Sequence, residues 1–200
     1  MTHTQDQRQW LAEYFERYRA SLFGIDVRDR LIELRDLMAR AQESGRKTIV
    51  AGNGGSAAIA SHCALDFTKN AGVRCVCFND AMLISALVND CGYDRWLEKA
   101  LELHADPGDV VVLISSSGRS ANMVRAAAYA RQAGLATVTF TGFARDNPVG
   151  ALGQLSFWVD SKAYNIVENT HQIWLLAVCD LLIGAAEYPV ASRSDTDPVA

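Results

Sequence analysis

Short runs of β-forming residues alternate with stretches of helical spacing after residue 47, and this alternation is the feature that most constrains the fold. Most of these runs are continuously apolar, as expected of parallel strands that are covered on both faces. Strands that alternate with helices favour a parallel sheet between two helical layers. The sequence therefore predicts a three-layer α/β/α sandwich with a five-stranded, flavodoxin-like parallel sheet of order 2-1-3-4-5. The predicted strands cover 48–51, 73–78, 110–114, 136–140 and 155–159.

Two N-terminal helices, over 5–22 and 27–45, are predicted before the first strand, with Asp26 as a helix cap between them. Because no strand precedes them, we expect them to lie over the sheet or to pack against another subunit. An aromatic stripe on the first helix favours an oligomer, although it could equally pack on the core of its own subunit. The stripe consists of Trp10, Tyr14, Phe15 and Tyr18.

A chain of 200 residues is long enough for one domain with a full core. We expect a single domain over 1–187, in which a helical segment (1–45) precedes an α/β core (46–187). The polar end of the chain, 188–200, is expected to be a flexible tail. A hydrophobic content of 50% and a charged content of 21% exclude an intrinsically disordered chain.

The charge balance and the cysteines limit the partners and the compartment. A formal net charge of −4 offers no excess of cations for nucleic acid or an anionic membrane surface. The longest apolar stretch, 173–186, contains Asp180 and is too short to span a bilayer. The five cysteines form no CxxC pair, which is typical of thiols in a reducing compartment. We therefore expect a cytoplasmic protein without a nucleic-acid or membrane partner.

A glycine-rich loop, Gly52-Asn53-Gly54-Gly55-Ser56, follows the first predicted strand and opens a helix. Glycines let the backbone approach a ligand closely, and the N–H groups at a helix N-terminus favour anions. The loop is neither a strict dinucleotide fingerprint nor a P-loop, because it lacks their remaining residues. It indicates an anion site, or alternatively only a tight turn that requires positive φ.

A serine-rich loop follows the third predicted strand in the same way and also opens a helix. Ser115, Ser116, Ser117 and Ser120 give it four hydroxyls that can donate to phosphate oxygens. A capping loop is the alternative, but one cap requires one serine. Strands one and three are neighbours at the switch point of a 2-1-3-4-5 sheet, so both loops are expected to line one crevice.

Proton-transfer candidates lie on two helices. His62 and Asp66 are four residues apart and share a helix face, although a surface pair is the alternative. Glu168 and His171 stand at the head of an otherwise apolar helix, where dipole pairing of the acid and a satisfied core histidine are the alternatives. A helical region is predicted over 81–104, and within it Asp90 is a candidate ligand group or a cap of the helix that carries Trp96.

At these residues the chain resembles the sugar isomerase (SIS) domain family, in particular its phosphoheptose isomerase group, over about residues 5–187. The resemblance rests on the glycine loop, Asn89-Asp90, the serine loop, Thr139-Phe140-Thr141-Gly142 and Val167-Glu168-Asn169-Thr170-His171. It implies a five-stranded α/β/α sandwich, usually a homotetramer with sites near subunit boundaries. It also implies that the four serines hold a sugar phosphate and that Asn53 and Ser56 line the sugar site.

The resemblance implies aldose–ketose interconversion through an enediol. Asp66 stands where the group has its glutamate base, and His62 matches a metal-associated histidine. The group's glutamine and second histidine correspond here to Val167 and Leu175, which can neither bind zinc nor transfer a proton. His62 and Asp66 are too few for a catalytic zinc site, unless Glu168 or His171 completes the set. Zinc is therefore not a firm expectation.

Two functional hypotheses lead at this point, with another reaction on a phosphosugar as a third option. The first is an isomerase of sedoheptulose 7-phosphate or a related sugar phosphate, with Asp66 as base and His171 or His62 as acid. The second is a non-catalytic SIS binding or scaffold protein that resembles the DnaA-initiator-associating protein. Both predict a sugar-phosphate-type cleft and a homo-oligomer, but only the first predicts turnover.

Overall fold

The computed structural model describes residues 3–188, with side chains from residue 6 onward. Its five strands form one all-parallel sheet of order β2-β1-β3-β4-β5, with helices on both faces, which confirms the predicted fold class and strand order. Apart from Tyr188, the predicted tail over 188–200 lies outside the described residues. The strands are β1 (Thr48–Gly52), β2 (Cys75–Cys77), β3 (Val110–Ser115), β4 (Ala136–Thr141) and β5 (Leu155–Trp158).

The helices follow the predicted order with two additions. The helical region expected over 81–104 is two helices, because the chain turns at Gly92 with φ of 82°. A short helix, α7, was not predicted. The helices are α1 (His3–Phe23), α2 (Arg28–Glu43), α3 (Gly55–Lys69), α4 (Ala81–Cys91), α5 (Trp96–His104), α6 (Ala121–Gln132), α7 (Pro148–Leu152) and α8 (Tyr164–Ile183).

Two predicted caps differ in detail. Val27, not Asp26, is the N-cap of α2, but the Asp26 carboxylate accepts a hydrogen bond from the Arg28 backbone N–H at 3.1 Å. Asp90 lies in the last turn of α4 and caps nothing, because Arg95 is the N-cap of α5. Both differences are shifts along the chain that leave the predicted layers unchanged.

Two apolar clusters cover the two faces of the sheet. On one face α2, α3 and α8 pack together, and the stacked rings of Phe140 and Phe157 lie below Trp174 of α8. On the other face α5, α6 and α7 contribute Trp96, Met123 and their neighbours. Helix α2 contacts β3, β5 and α8 and so lies over the sheet, one of the two expected arrangements, while α1 packs against α8.

Helix α8 is, among residues 3–188, the one helix whose length and composition would allow it to cross a membrane. The buried face of α8 includes Val167, Trp174 and Leu175, which belong to the core cluster against the sheet. Helices α2 and α3 pack beside it. These contacts are those of a core helix.

Strand register fixes where the two predicted loops lie. Gly52 at the end of β1 pairs with Ile114 near the end of β3, so both strands end at the same level.

At the opposite edge of the sheet, the Lys47 ammonium lies 2.6 Å from the carboxylates of both Asp106 and Asp109. Asp109 is fully buried and also accepts the backbone N–H groups of Lys47 and Asp106. This network joins the segments that lead into β1 and β3.

Candidate functional site

A cleft of about 270 Å³ lies at the carboxyl edge of the sheet, between the two loops. The head of α8 closes it from the side. It is lined by Asn53, Gly54, Gly55, Ser56, Ile114, Ser115, Ser116, Ser117, Ser120, Tyr164 and Glu168. The structure thus brings together the predicted residues of both loops and Glu168, and it leaves Asp90, His62, Asp66 and His171 outside this lining.

The glycine loop is held by side chains that sequence reasoning missed. Gly54 has φ of 55°, and a Cβ at Gly55 would collide with the Glu168 carboxylate. Asn79 accepts the Gly52 backbone N–H at 3.1 Å and donates to the Gly52 carbonyl at 2.7 Å. These two hydrogen bonds continue the pairing of β1 beyond the sheet, and they fix the point where the loop begins.

Asn53 is oriented by a second amide. Its side chain and that of Asn122 donate to each other at 3.0 and 2.9 Å, and the Tyr93 hydroxyl donates to Asn53 Oδ1 at 3.2 Å. Asn122 is buried at the start of α6, immediately after the serine loop. A polar residue on the buried face of a helix was the signal that could have identified it.

The serine loop is held in place by backbone hydrogen bonds. The Gly142 N–H donates to the Ser116 carbonyl at 2.9 Å, and the Val149 N–H donates to the Gly118 carbonyl at 3.0 Å. Gly118 has φ of 62°, and a Cβ there would collide with Asn147. Ser120 is the N-cap of α6, yet its hydroxyl makes no capping hydrogen bond. The loop therefore has a fixed backbone and a free hydroxyl.

Glu168 brings a carboxylate into this anion-type cleft. Its Oε1 accepts from the Ser116 hydroxyl at a long 3.5 Å. Partial burial raises the pKa of Glu168, and the Ser116 hydroxyl opposes that rise. A carboxyl group with a raised pKa beside helix N-termini and hydroxyls is suited to proton transfer.

His62, Asp66 and Gln172 form a separate hydrogen-bonded set between α3 and α8, which we call the paired set. His62 Nε2 lies 3.1 Å from Asp66 Oδ2, and Gln172 Nε2 lies 2.8 Å from His62 Nδ1. The Gln172 amide nitrogen faces His62 Nδ1 and the Asp66 carboxylate faces Nε2, an arrangement that fits a neutral ring with its hydrogen on Nε2. Both ring nitrogens are thus paired within the protein.

His171 and Asp90 lie elsewhere. His171 is fully buried, and its Nε2 donates to the Thr141 carbonyl at 3.0 Å, while Nδ1 has no partner among the described residues. Burial lowers the pKa of His171 to about 4. Asp90 is exposed at the end of α4 and accepts from Asn89 at 3.0 Å.

The donor set does not fit a zinc site. Residues 3–188 contain no cluster of three His, Cys, Asp or Glu side chains that could hold a metal ion. Val167 and Leu175 are fully buried apolar residues of the core. In the paired set, His62 and Asp66 stand beside the Gln172 amide and are the two side chains of the usual zinc-ligating types, fewer than the three that a catalytic zinc requires.

Comparison with known proteins identifies the family. Residues 13–142 match the SIS domain family. The probable phosphoheptose isomerase of Thermoplasma acidophilum is 30% identical over 85% of this chain and 96% of its own length. The phosphoheptose isomerase of Nitratidesulfovibrio vulgaris is 31% identical over 92% of this chain and 90% of its own length. The solved phosphoheptose isomerase of Neisseria gonorrhoeae has a TM-score of 0.80 at 27% identity, covering 88% of this chain and 98% of that one. The chain therefore belongs to the SIS-domain family, in the group that contains the phosphoheptose isomerases.

Proposed function

We propose that this protein binds a sugar phosphate in the cleft and interconverts its aldose and ketose forms. Sedoheptulose 7-phosphate or a related sugar phosphate is the proposed substrate. The relatives favour an isomerase over the scaffold alternative, because those compared above are named as phosphoheptose isomerases, one of them as a probable one. The observation that carries the proposal is the Glu168 carboxylate inside a cleft built from two anion-type loops.

The phosphate end of the ligand is assigned to the serine loop. No Lys or Arg of the described residues lines the cleft, so the proposed binding groups are hydroxyls and the backbone N–H groups at the starts of α3 and α6. Ser115, Ser116, Ser117 and Ser120 supply the hydroxyls. Helix N-termini add a partial positive charge that favours a phosphate. Asn53 and Ser56, on the glycine-loop side of the cleft, are the proposed partners of the sugar end.

Glu168 is the proposed acid–base group. Aldose–ketose interconversion removes a proton from the carbon beside the carbonyl, giving an enediol, and returns the proton to the neighbouring carbon. A second proton moves between the two oxygens. The raised pKa of Glu168 makes its carboxylate a stronger base than an exposed glutamate. No step is routed through a metal ion.

A second assignment, with Asp66 as base and His62 as acid, is supported by the hydrogen bond between them. For His171 the full burial of its ring supports a positioning role, through the Thr141 carbonyl, rather than proton transfer to a ligand.

The proposal includes a cytoplasmic homo-oligomer, a tetramer as the resemblance implies, built from a single domain over 1–187. An apolar groove of about 520 Å³ between the α1–α2 turn and α8 supports self-association. Phe23, which lines it, is 79% exposed. Light scattering should give the mass of four chains, and the mass of one chain would contradict the assembly.

Proton exchange tests the function. The protein is incubated with sedoheptulose 7-phosphate in D₂O, and the C1 protons are followed by NMR for wild type, Glu168→Gln and Asp66→Asn. We expect exchange in the wild type and its loss in Glu168→Gln, by about 10²–10⁴-fold, the usual range for a general base. Loss in Asp66→Asn alone would transfer the base role to Asp66. Binding without exchange in the wild type would favour the scaffold alternative.

A further inference from the structure

Tyr164 is a cleft residue to which neither the sequence patterns nor the proposed chemistry gives a role. It is the first residue of α8 and lines the cleft four residues before Glu168, on the same helix face. The residue is 59% exposed to solvent and lines the cleft, so its ring is accessible to a ligand there. Within residues 3–188 its hydroxyl has no hydrogen-bond partner, unlike the hydroxyl of Tyr93 on Asn53.

The Tyr164 ring is supported from behind by Phe143. The two rings meet edge to face, with centroids 4.8 Å apart and planes at 70°. Phe143 has φ of 56°, and it is the one non-glycine residue with positive φ in the described part of the chain. Such a conformation is strained for a residue with a Cβ and persists only where the surroundings fix it.

Two contacts hold the strained segment. The Phe143 N–H donates to the Ser161 carbonyl at 2.9 Å, and the Gly142 N–H donates to the Ser116 carbonyl of the serine loop at 2.9 Å. The chain thus turns sharply after β4 and places the Phe143 ring against Tyr164. Strained backbone of this kind concentrates at ligand-binding sites, where it positions a side chain.

We propose that Tyr164, supported by Phe143, is the specificity-determining residue of the cleft. Its ring packs on the C–H face of the sugar chain, and its hydroxyl donates to a sugar oxygen, while the serine loop holds the phosphate. Tyr164 therefore distinguishes a sugar phosphate from free phosphate. This inference rests on the proposed function, since it requires a sugar phosphate in the cleft.

Calorimetric titration with two probes tests the inference, using inorganic phosphate and sedoheptulose 7-phosphate. We expect Tyr164→Ala to lower affinity for the sugar phosphate about tenfold, in line with the contribution of an aromatic contact, and to leave phosphate binding unchanged. Ser120→Ala should weaken both probes. Leu103→Ala, on α5 and 65% exposed, is the matched control and should change neither.

Phe143→Leu distinguishes support of the Tyr164 ring by Phe143 from a role of Phe143 in folding alone. It keeps an apolar group on the core but removes the aromatic edge, so it should lower the ratio of sugar-phosphate to phosphate affinity while the melting temperature stays close to that of wild type. Tyr164→Phe retains the ring and should bind the sugar phosphate more tightly than Tyr164→Ala.

Three results would overturn the inference. In the first, Tyr164→Ala binds the sugar phosphate like wild type, or loses both probes equally, while exchange activity persists; the proposed function then stands alone. In the second, Tyr164→Phe is as weak as Tyr164→Ala, which excludes ring packing. In the third, the wild type binds the sugar phosphate no more tightly than phosphate, which contradicts both proposals.

Discussion

The cleft and the paired set are both polar regions to which α3 and α8 contribute, but they differ in the polar groups that they leave unpaired. In the paired set, His62 uses both ring nitrogens on Asp66 and Gln172. In the cleft, the hydroxyl of Ser120 caps nothing, and the Glu168 carboxylate has one long hydrogen bond. Polar groups that line an open cleft and lack a strong protein partner are available to a polar ligand. The cleft is therefore built to bind, and the paired set is satisfied without a ligand.

His171 is intermediate between these two cases, because one of its ring nitrogens is paired and the other is not. Protonation of His171 should have the largest effect on the free energy of unfolding. Its pKa falls from 6.5 to about 4 in the folded protein. The unfolded chain therefore binds the proton first, and stability should be lost as pH falls from about 6.5 to about 4. At 1.36 kcal/mol per pKa unit, the loss amounts to about 3 kcal/mol.

Urea unfolding at several pH values checks this slope against His171→Leu, which should lack it. Glu168, one turn away, acts in the opposite direction, because its raised pKa means that protonation favours the folded state. Comparing the variants His171→Leu and Glu168→Gln therefore isolates the contribution of His171 to the pH dependence of the free energy of unfolding. Equal acid slopes in wild type and His171→Leu would show that His171 is not protected from protonation.

Ser120→Ala should weaken sugar-phosphate binding by about 1–3 kcal/mol, the range for a hydrogen bond to a charged group. The free energy of unfolding should not change, because the Ser120 hydroxyl makes no capping hydrogen bond in the folded protein. Calorimetry and urea unfolding measure the two quantities. Ser44→Ala at the end of α2 is the matched control, because it removes a serine hydroxyl that does donate a hydrogen bond, to the Arg40 carbonyl. A stability loss without an affinity loss would make Ser120 an ordinary cap.

His62→Gln should cost less than about 1 kcal/mol of stability, because the His62–Asp66 pair is partly exposed and such pairs contribute little. Sugar-phosphate affinity should stay the same, since neither residue lines the cleft. Thermal unfolding and calorimetry check both statements. A large loss of affinity would place the paired set within the binding site and remove the contrast between the two regions.

Chelation should have the smallest effect. Because residues 3–188 contain no cluster of three His, Cys, Asp or Glu side chains, treatment with EDTA should leave the NMR exchange rate unchanged. The rate is measured before treatment, after it, and after zinc is added back. Activity that disappears with EDTA and returns with zinc would show that residues of another kind complete a metal site.

The sheet and its two loops could be predicted because their signals are local. Apolar runs marked the strands, and the glycines and serines that follow β1 and β3 marked the binding edge. The turn at Gly92 was missed as a break, although Asn89, Asp90 and Asp94 beside it are poor helix formers and gave a local signal for one. The Asn53–Asn122 pair joins residues far apart in sequence, and no local pattern reveals such a contact.

The side chains on α8 show more clearly that local sequence patterns do not reveal which residues meet. Glu168 and His171 are three residues apart, yet one lines the cleft and the other is fully buried. Only the rotation of the helix against the sheet decides this. Tyr164 was missed because nothing in the sequence marks it as the first residue of α8, and because an exposed aromatic residue is common on protein surfaces.

The ion pairs of Lys47 with Asp106 and Asp109 lie at the amino edge of the sheet, away from every group that the cleft uses. They connect the segments that precede β1 and β3, and neither the glycine loop nor the serine loop takes part in them. In evolutionary terms, the loops can diverge while the strands that carry them keep their alignment. A mutational library confined to the two loops and the head of α8 should therefore yield mostly folded proteins that differ in ligand preference.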